Sequence, residues 1–171
     1  MIDFTTIDYL KKGNEKQKRA FEVLAKHKLF EKLKDYSPIL AGTIPIEIDI
    51  EGSDLDIICE VKNESDFIEF LNQNFQDYNN FILEKVTAND EKSIVLSFML
   101  EEFPIEIFGQ NKPATEQNAY RHMIAEYKIL QEKGEAFKQK IIELKKKGIK
   151  TEPAFGILLS LENPYEDLLK F

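Results

Sequence analysis

The sequence predicts an α+β fold in which a mixed sheet is flanked by helices and followed by a C-terminal helical segment. Apolar residues recur at intervals of three and four over 14–33 and 115–147, which is the period of an amphipathic helix. Between them, runs rich in β-branched and aromatic residues at 38–61, 81–100 and 104–108 are typical of buried strands. Strands, a helix and then a meander favour one mixed sheet.

The chain has 171 residues, 43% of them hydrophobic, which is enough for one domain and too few for two ordinary ones. Within this single domain, 1–171, we expect residues 1–112 to form the sheet with an N-terminal helix and residues 113–171 to form helices packed on it. The sequence contains neither the roughly 18 consecutive apolar residues of a membrane span nor a secretory leader. Its single cysteine, Cys59, lies in an apolar run and is interpreted as a packing residue. We therefore expect a cytoplasmic protein without membrane contact.

Start and stop signals place the elements along the chain. The first helix is expected to begin near Asn14, and a second one, capped by Asn63 or Ser65, runs to Phe75. The runs 81–86 and 93–100 are interpreted as a hairpin, and a third strand follows at 104–108.

The C-terminal third is predicted to be helical. Gly134 is expected to break the long helix over 115–147, whose predicted buried stripe includes Tyr120, Met123 and Tyr127. Thr151 is the expected N-cap of a further helix with Pro153 in its first turn, and the pair 163–164 is expected to open the last one.

Five of the ten residues from Glu47 to Asp56 are acidic, inside an apolar, β-branched framework. In a strand, Asp54 and Asp56 point to the same face, with Cα atoms roughly 6 to 7 Å apart. Two such carboxylates can bind one or two hard divalent cations such as Mg²⁺. The alternative is that one aspartate caps a turn after Ser53 while the other is solvated.

Two flanking features favour the metal site. Gly42 and Thr43 end a short apolar run, which suits a tight strand exit with free backbone N–H groups. Glu106 is a single acid between two isoleucines in a predicted strand, and a buried acid requires a partner. The alternative for Glu106 is an edge strand that faces water, and the sequence does not establish that its strand pairs with that of Asp54.

Together, Ala41-Gly42-Thr43, the ten residues 44–53, Asp54-Leu55-Asp56-Ile57 and Ile105-Glu106-Ile107 resemble the pattern of the nucleotidyltransferase superfamily. The resemblance covers residues 38–110 and is nearest to small bacterial families of unknown function, including one akin to the GrpB family. It implies a polymerase-beta-like fold and transfer of a nucleotidyl group from a nucleoside triphosphate to an unknown acceptor.

The resemblance also implies the roles of residues. Asp54, Asp56 and Glu106 would hold Mg²⁺ or Mn²⁺, with Glu106 helping to deprotonate the acceptor. Substrate contacts would come from Gly42, Thr43 and Ser53, with Arg121 as a phosphate clamp; the alternative for Arg121 is a surface ion pair with Gln117 or Glu126 nearby. His122 is interpreted either as a general base or phosphate donor or as a structural histidine.

The sequence departs from the family pattern after Gly42. Thr43 stands where Ser or Gly is usual, and Pro45 precedes an alternation of isoleucine and acid that predicts a strand over 44–50. Many superfamily enzymes instead begin a helix there, whose N-terminus receives the triphosphate. This departure favours the alternative function, a nucleotidyltransferase fold that binds a ligand or a partner without catalysis.

The charge distribution argues against nucleic acid as the main partner. The net charge is −8, and residues 36–127 contain 18 acidic and 5 basic residues, so this part of the chain repels a phosphate backbone. Only the basic run 145–147 with Lys150 favours nucleic-acid binding. The sequence does not indicate the oligomeric state.

Overall fold

The structure is a computed structural model that describes residues 2–88 and 90–171. The strands are β1 (Ile39–Ala41), β2 (Leu55–Glu60), β3 (Asn79–Ala88), β4 (Glu91–Leu100) and β5 (Phe103–Gln110). The helices are α1 (Glu15–Lys26), α2 (Leu29–Lys32), α3 (Glu64–Phe75), α4 (Asn118–Lys133), α5 (Glu135–Lys146), α6 (Thr151–Leu159) and α7 (Pro164–Asp167). Short 3₁₀ turns occur at Asp8–Lys12, Lys34–Tyr36, Ala114–Glu116 and Leu168–Lys170. Across residues 2–88 and 90–171, every helix is too short or too polar to span a lipid bilayer.

The strands form one mixed sheet in the order β1-β2-β5-β4-β3. The predicted hairpin and third strand are confirmed, since β3, β4 and β5 form an antiparallel meander. The hairpin strands run further than predicted, and Asn89, between them, lies outside the described residues. β2 pairs in parallel with β5, with Asp56 directly opposite Glu106. This pairing is what the sequence alone left open.

The sheet has a hydrophobic core on each face. Neighbouring residues of β2 point to opposite faces, so Ile57 belongs to one core and Ile58 to the other. The first core includes Phe67 of α3, and Cys59 is buried in it as predicted. The second core joins β1 and β2 to the C-terminal helices and includes Phe155. The C-terminal helices therefore cover the sheet near the carboxylates.

The predicted helix over 14–33 is divided in two. Asn14 caps α1 through reciprocal hydrogen bonds with Gln17, of 2.9 and 3.0 Å. The chain then turns at Lys28, whose φ of 54° is left-handed, before α2 begins. This turn allows Leu29 and Leu33, both fully buried, to pack into the first core.

The strand predicted over 44–50 is wrong. Residues 44–47 form a turn, and Glu47 has a left-handed φ of 59°. Pro45 has no N–H for a ladder, and side chains instead bind the carbonyl groups of the segment. Gln17 donates to the carbonyl oxygens of residues 44 and 45 at 3.0 and 3.2 Å, and Lys145 donates to that of residue 48 at 2.7 Å. The alternation therefore reflects isoleucines buried in two cores, because the isoleucine at 44 lies in the first and those at 46 and 48 lie in the second.

The helix boundaries are mostly confirmed. Asn63 caps α3, accepting a hydrogen bond from the backbone N–H of residue 66 at 3.0 Å, and Gly134, at a φ of 77°, separates α4 from α5. Proline opens α7 as expected. The N-cap of α6 is Lys150, so Thr151 is already the first helical residue.

The buried face of α4 also differs from the predicted stripe. Met123 is buried as predicted, but Tyr120 and Tyr127 are only partly buried. His122 and Glu126 are buried beside Met123. The helix is therefore rotated so that two ionisable side chains face inward.

Candidate active site

Three carboxylates meet at the junction of β2 and β5. Asp54 immediately precedes β2, Asp56 lies within it and Glu106 lies opposite on β5. One carboxylate oxygen from each lies within 4.8 Å of the other two. The period of the strand places Asp54 and Asp56 on one face, and the parallel pairing adds Glu106 to it.

Gly42 closes one side of this carboxylate cluster. The residue follows β1, and its neighbour Ala41 pairs with Asp56. Gly42 has a φ of 88°, and a Cβ atom placed on it would lie 2.5 Å from Oδ2 of Asp56. The backbone therefore approaches the carboxylate more closely than any other residue type permits.

The cluster fits a hard divalent cation. Burial raises the pKa of Asp56 well above its ordinary value, and the charges of Asp54 and Glu106 raise it further. Burial and the charge of Asp54 also raise the pKa of Glu106. Like charges this close repel each other, and a divalent cation with oxygen ligands would relieve that repulsion. The three carboxylates are therefore a candidate Mg²⁺ or Mn²⁺ site.

Replacing Gly42 with alanine is expected to disturb the cluster. The Gly42→Ala variant combines left-handed strain with a Cβ that displaces the Asp56 carboxylate, and we expect a loss of about 1 to 3 kcal/mol in the free energy of unfolding. Gly52→Ala is the matched control, because Gly52 has a φ of 82° and a Cβ there meets no described atom within 4 Å. Chemical denaturation of both variants measures the loss of stability, and Mg²⁺ titration measures metal binding. A larger effect in Gly42→Ala than in Gly52→Ala is the part due to the contact with Asp56, because both variants have the same backbone strain. Equal losses in the two variants would contradict a specific contact with Asp56.

The carboxylates form the floor of a cavity of about 690 Å³. Gly42, Thr43 and Ser53 line it, so the structure brings these predicted substrate contacts together with the acids. Ser53 also closes its own loop, because its Oγ accepts a hydrogen bond from the backbone N–H of residue 50 at 2.9 Å. Arg121 lies on the exposed side of α4 and is not among the lining residues.

Ion pairs account for two acids of the acidic stretch. Glu47 accepts a hydrogen bond from Lys138 of α5 at 2.7 Å, and Asp49 lies 3.1 Å from Lys16 of α1. These contacts attach the irregular segment before β2 to two helices.

The helical wall of the cavity carries ionisable residues that the sequence patterns did not place in the site, together with His122, which was a candidate. Glu126 and Lys145 are only 4% and 7% exposed, and both line the cavity with His122 and Glu152. His122 Nε2 lies 2.7 Å from the carbonyl oxygen of Tyr165, and its Nδ1 lies 3.6 Å from Glu152. A sequence signal for Glu126 was available, because this acid follows Met123 by three residues and therefore lies on the same face of the helix as that predicted buried residue.

The basic run 145–147 is not one exposed surface. Lys145 turns inward and donates to the backbone, while the two lysines after it are exposed. Burial lowers the pKa of Lys145, opposed by Glu126. The patch that favoured nucleic-acid binding is therefore smaller than the sequence indicated.

Glu126 makes the stability of the protein depend on pH. Burial and then the charge of Glu152 raise the pKa of Glu126 well above its ordinary value, while Lys145 lowers it; His122 also lines this wall. The folded state therefore retains a proton that the unfolded state has lost above about pH 4.5. As pH rises from about 4.5 to the folded-state pKa of Glu126, we expect the free energy of unfolding of the wild type to fall relative to that of Glu126→Gln. The fall is about 1.4 kcal/mol for each unit by which the folded-state pKa exceeds the unfolded-state pKa.

Denaturation of both proteins from pH 4 to 8 checks this prediction. Glu132→Gln is the control, because Glu132 lies on the same helix and its side chain is 73% exposed, so its profile should match that of the wild type. If the free energy of unfolding changed with pH in the same way in the wild type and in Glu126→Gln, the raised pKa of Glu126 would be contradicted.

Several solved structures have a similar fold. A chain of the GLD-2/RNP-8 complex has a TM-score of 0.57 at 11% identity, with 89% of this chain and 60% of that chain covered. Cid1, described by its RNA terminal uridylyl transferase activity, has a TM-score of 0.52 at 16% identity, with 77% and 41% covered. The polymerase core of TRAMP, an RNA surveillance complex, has a TM-score of 0.53 at 9% identity, with 81% and 43% covered. The chain thus spans about two fifths to three fifths of the length of these proteins, and at these identities the likeness shows the fold alone.

The five-stranded mixed sheet with its helices is therefore a nucleotidyltransferase-like fold, as the sequence predicted. None of the curated proteins compared with the chain matches it. The match to a protein family extends over residues 22–171, which include every strand, the carboxylate cluster and the helical wall. The chain accordingly belongs to the family described as a domain of unknown function, DUF4269.

Proposed function

We propose that the protein is a metal-dependent nucleotidyltransferase that transfers a nucleotidyl group from a nucleoside triphosphate to a hydroxyl group of an acceptor. The observation that carries the proposal is the cluster of Asp54, Asp56 and Glu106, whose carboxylate oxygens lie within 4.8 Å of one another on the cavity floor. A similar structure, Cid1 at 17% identity and a TM-score of 0.52, is described with magnesium and 3′-dATP bound.

The residues of the cavity have different roles in the proposed reaction. Asp54, Asp56 and Glu106 would hold Mg²⁺ or Mn²⁺, which would supply charge that screens the phosphates and the leaving group. Backbone N–H groups near Gly42 and the hydroxyl of Thr43 would donate to the triphosphate.

In the proposed reaction, the acceptor oxygen forms a bond to the α-phosphorus as the bond from that phosphorus to pyrophosphate breaks. Glu106 takes the proton of the acceptor hydroxyl. Pyrophosphate leaves with the electron pair of the broken bond.

A second candidate function is binding without catalysis. The single turn over 44–47 stands where many superfamily enzymes begin a helix, and a single turn offers fewer aligned N–H groups to a triphosphate than a helix N-terminus does. A protein of this kind would bind nucleotide and metal without releasing pyrophosphate.

A thermal-shift screen tests the proposal. Each nucleoside triphosphate is combined with Mg²⁺ or Mn²⁺, and each component is also tested alone. We expect a rise in melting temperature that requires both metal and nucleotide, and pyrophosphate release once an acceptor is supplied. The absence of a shift with every combination would refute the proposal, while a shift without pyrophosphate release across an acceptor screen would favour the binding function.

A further inference from the structure

The acceptor is the part of the proposed reaction that the carboxylate cluster does not specify. The helical wall on the opposite side of the cavity indicates the chemistry of the acceptor, because a buried acid lies there without a partner. Glu126 is 4% exposed, lines the cavity and has, among the described residues, neither a hydrogen bond nor an ion pair within 4.0 Å. A buried carboxyl group without a partner is held uncharged in the folded state, and a cation that enters the cavity can pair with its ionised form.

The neighbours of Glu126 are engaged elsewhere. Lys145 donates its Nζ hydrogen to the carbonyl oxygen of Ile48 at 2.7 Å. His122 faces the carbonyl oxygen of Tyr165 and, 3.6 Å away, the carboxylate of Glu152. The described hydrogen bonds of Lys145 and His122 are therefore with other acceptors, and Glu126 remains available to a molecule in the cavity.

The charge of the cavity favours a cationic occupant. Six acids line it, against two lysines, which is a formal excess of four negative charges. The acids are Glu51, Asp54, Asp56, Glu106, Glu126 and Glu152. Divalent cations at the strand junction would offset the charge of the floor, while on the helical wall Lys145 and Lys150 balance the formal charges of Glu126 and Glu152. A nucleic-acid strand gains no net attraction from such a wall, whereas an ammonium group can be attracted locally by a carboxylate that makes no other contact.

We infer that Glu126, assisted by Glu152, binds a protonated amine of the acceptor, so that the second substrate is a small amine-bearing molecule rather than a nucleic-acid strand. This inference rests on the proposed function. Glu126 on α4 and Glu152 on α6 present two carboxylates from different helices to one cavity. Such a pair can accept hydrogen bonds from one ammonium group, which has three donors. Burial raises the pKa of Glu126, so the binding of an ammonium group beside it would be coupled to the loss of its proton.

Isothermal titration with spermidine as the amine probe tests the inference, in the presence of Mg²⁺ and a nonhydrolysable triphosphate analogue. We expect saturable binding by the wild type. Glu126→Gln keeps the shape of the side chain and should weaken that binding about tenfold to a hundredfold, the value of a hydrogen bond to a charged group. Glu132→Gln on the exposed side of α4 should bind as the wild type does.

Proton release provides a readout that a structural role would not change. Titrations at a series of pH values from about 5 to 8, in two buffers of different ionisation enthalpy, should show that the wild type releases a proton when spermidine binds wherever the free protein still holds the Glu126 proton, because Glu126 then becomes ionised. Glu126→Gln should lose this release. Glu152→Gln, the second variant, should retain it while binding spermidine more weakly.

The outcomes separate the inference from the proposed function. A wild type that shows the metal-dependent nucleotide shift but does not bind spermidine would overturn the inference and leave the proposed function intact. Unchanged spermidine binding in Glu126→Gln would also overturn the inference. A Glu126→Gln variant whose affinity changes only for one nucleoside triphosphate would overturn it too, because Glu126 would then contact the base of the nucleotide. Spermidine binding without any metal-dependent nucleotide shift would overturn the proposed function and, with it, the assignment of the amine-bearing molecule as its acceptor.

Discussion

Replacing Asp54 and Asp56 together with asparagine is expected to abolish the metal-dependent stabilisation of the protein by nucleoside triphosphates. In the wild type, a ligand at about 100 times its dissociation constant adds about 2.7 kcal/mol to the free energy of unfolding. For a chain of this size, that corresponds to a rise of about 5 to 10 °C in the melting temperature. The variant should show no such rise, because a single remaining acid, Glu106, does not hold the cation.

The same variant should lose no stability in metal-free buffer. The raised pKa of Asp56 means that its charged form is unfavourable in the folded protein, so an uncharged side chain of the same shape removes a cost. Glu60→Gln is the control, because Glu60 lies at the other end of β2; it should keep the full shift. A double variant that melts well below the wild type without metal would identify the two aspartates as structural residues.

Local signals in the sequence predicted the elements whose boundaries local chemistry decides. Asn63 caps α3, and Gly134 ends α4, because a side-chain acceptor and a left-handed glycine act within one turn of the chain. The alternation around Asp54 and Asp56 likewise predicted that both carboxylates share a face. These inferences depend only on neighbouring residues.

The features that the sequence did not predict depend on residues that are distant in the chain. Residues 44–50 have a strand period, yet Gln17 and Lys145 bind their carbonyl groups and stabilise a turn. The pairing of Asp56 with Glu106 joins strands separated by a helix and a hairpin. Similarly, Lys145 belongs to an ordinary basic run, and only the packing of α5 against the segment before β2 buries it.

The packing of the C-terminal helices on the sheet leads to the other large effect that we expect. Phe155 of α6 is fully buried, its ring centroid lies 5.8 Å from that of Phe137 on α5, and it shares the second core with Ile58 of β2. Phe155→Ala should lower the free energy of unfolding by about 3 to 5 kcal/mol through lost burial and the cavity left behind. The melting temperature should fall by about 6 to 20 °C.

Because one core joins the sheet to these helices, we expect the whole chain to unfold in a single transition in the wild type and in Phe155→Ala. Urea denaturation followed by circular dichroism, together with hydrogen exchange of the β2 amides, measures whether the sheet and α6 lose structure at the same denaturant concentration. Ile157→Ala on the same helix is the control, since Ile157 is 56% exposed and its loss should cost less than about 0.5 kcal/mol. Two transitions, of which only the helical one responds to Phe155→Ala, would mean that the sheet is stable without the helical wall. The cavity between them would then depend on the docking of two separate units, and its acidic wall would be free to move away from the carboxylates of β2 and β5.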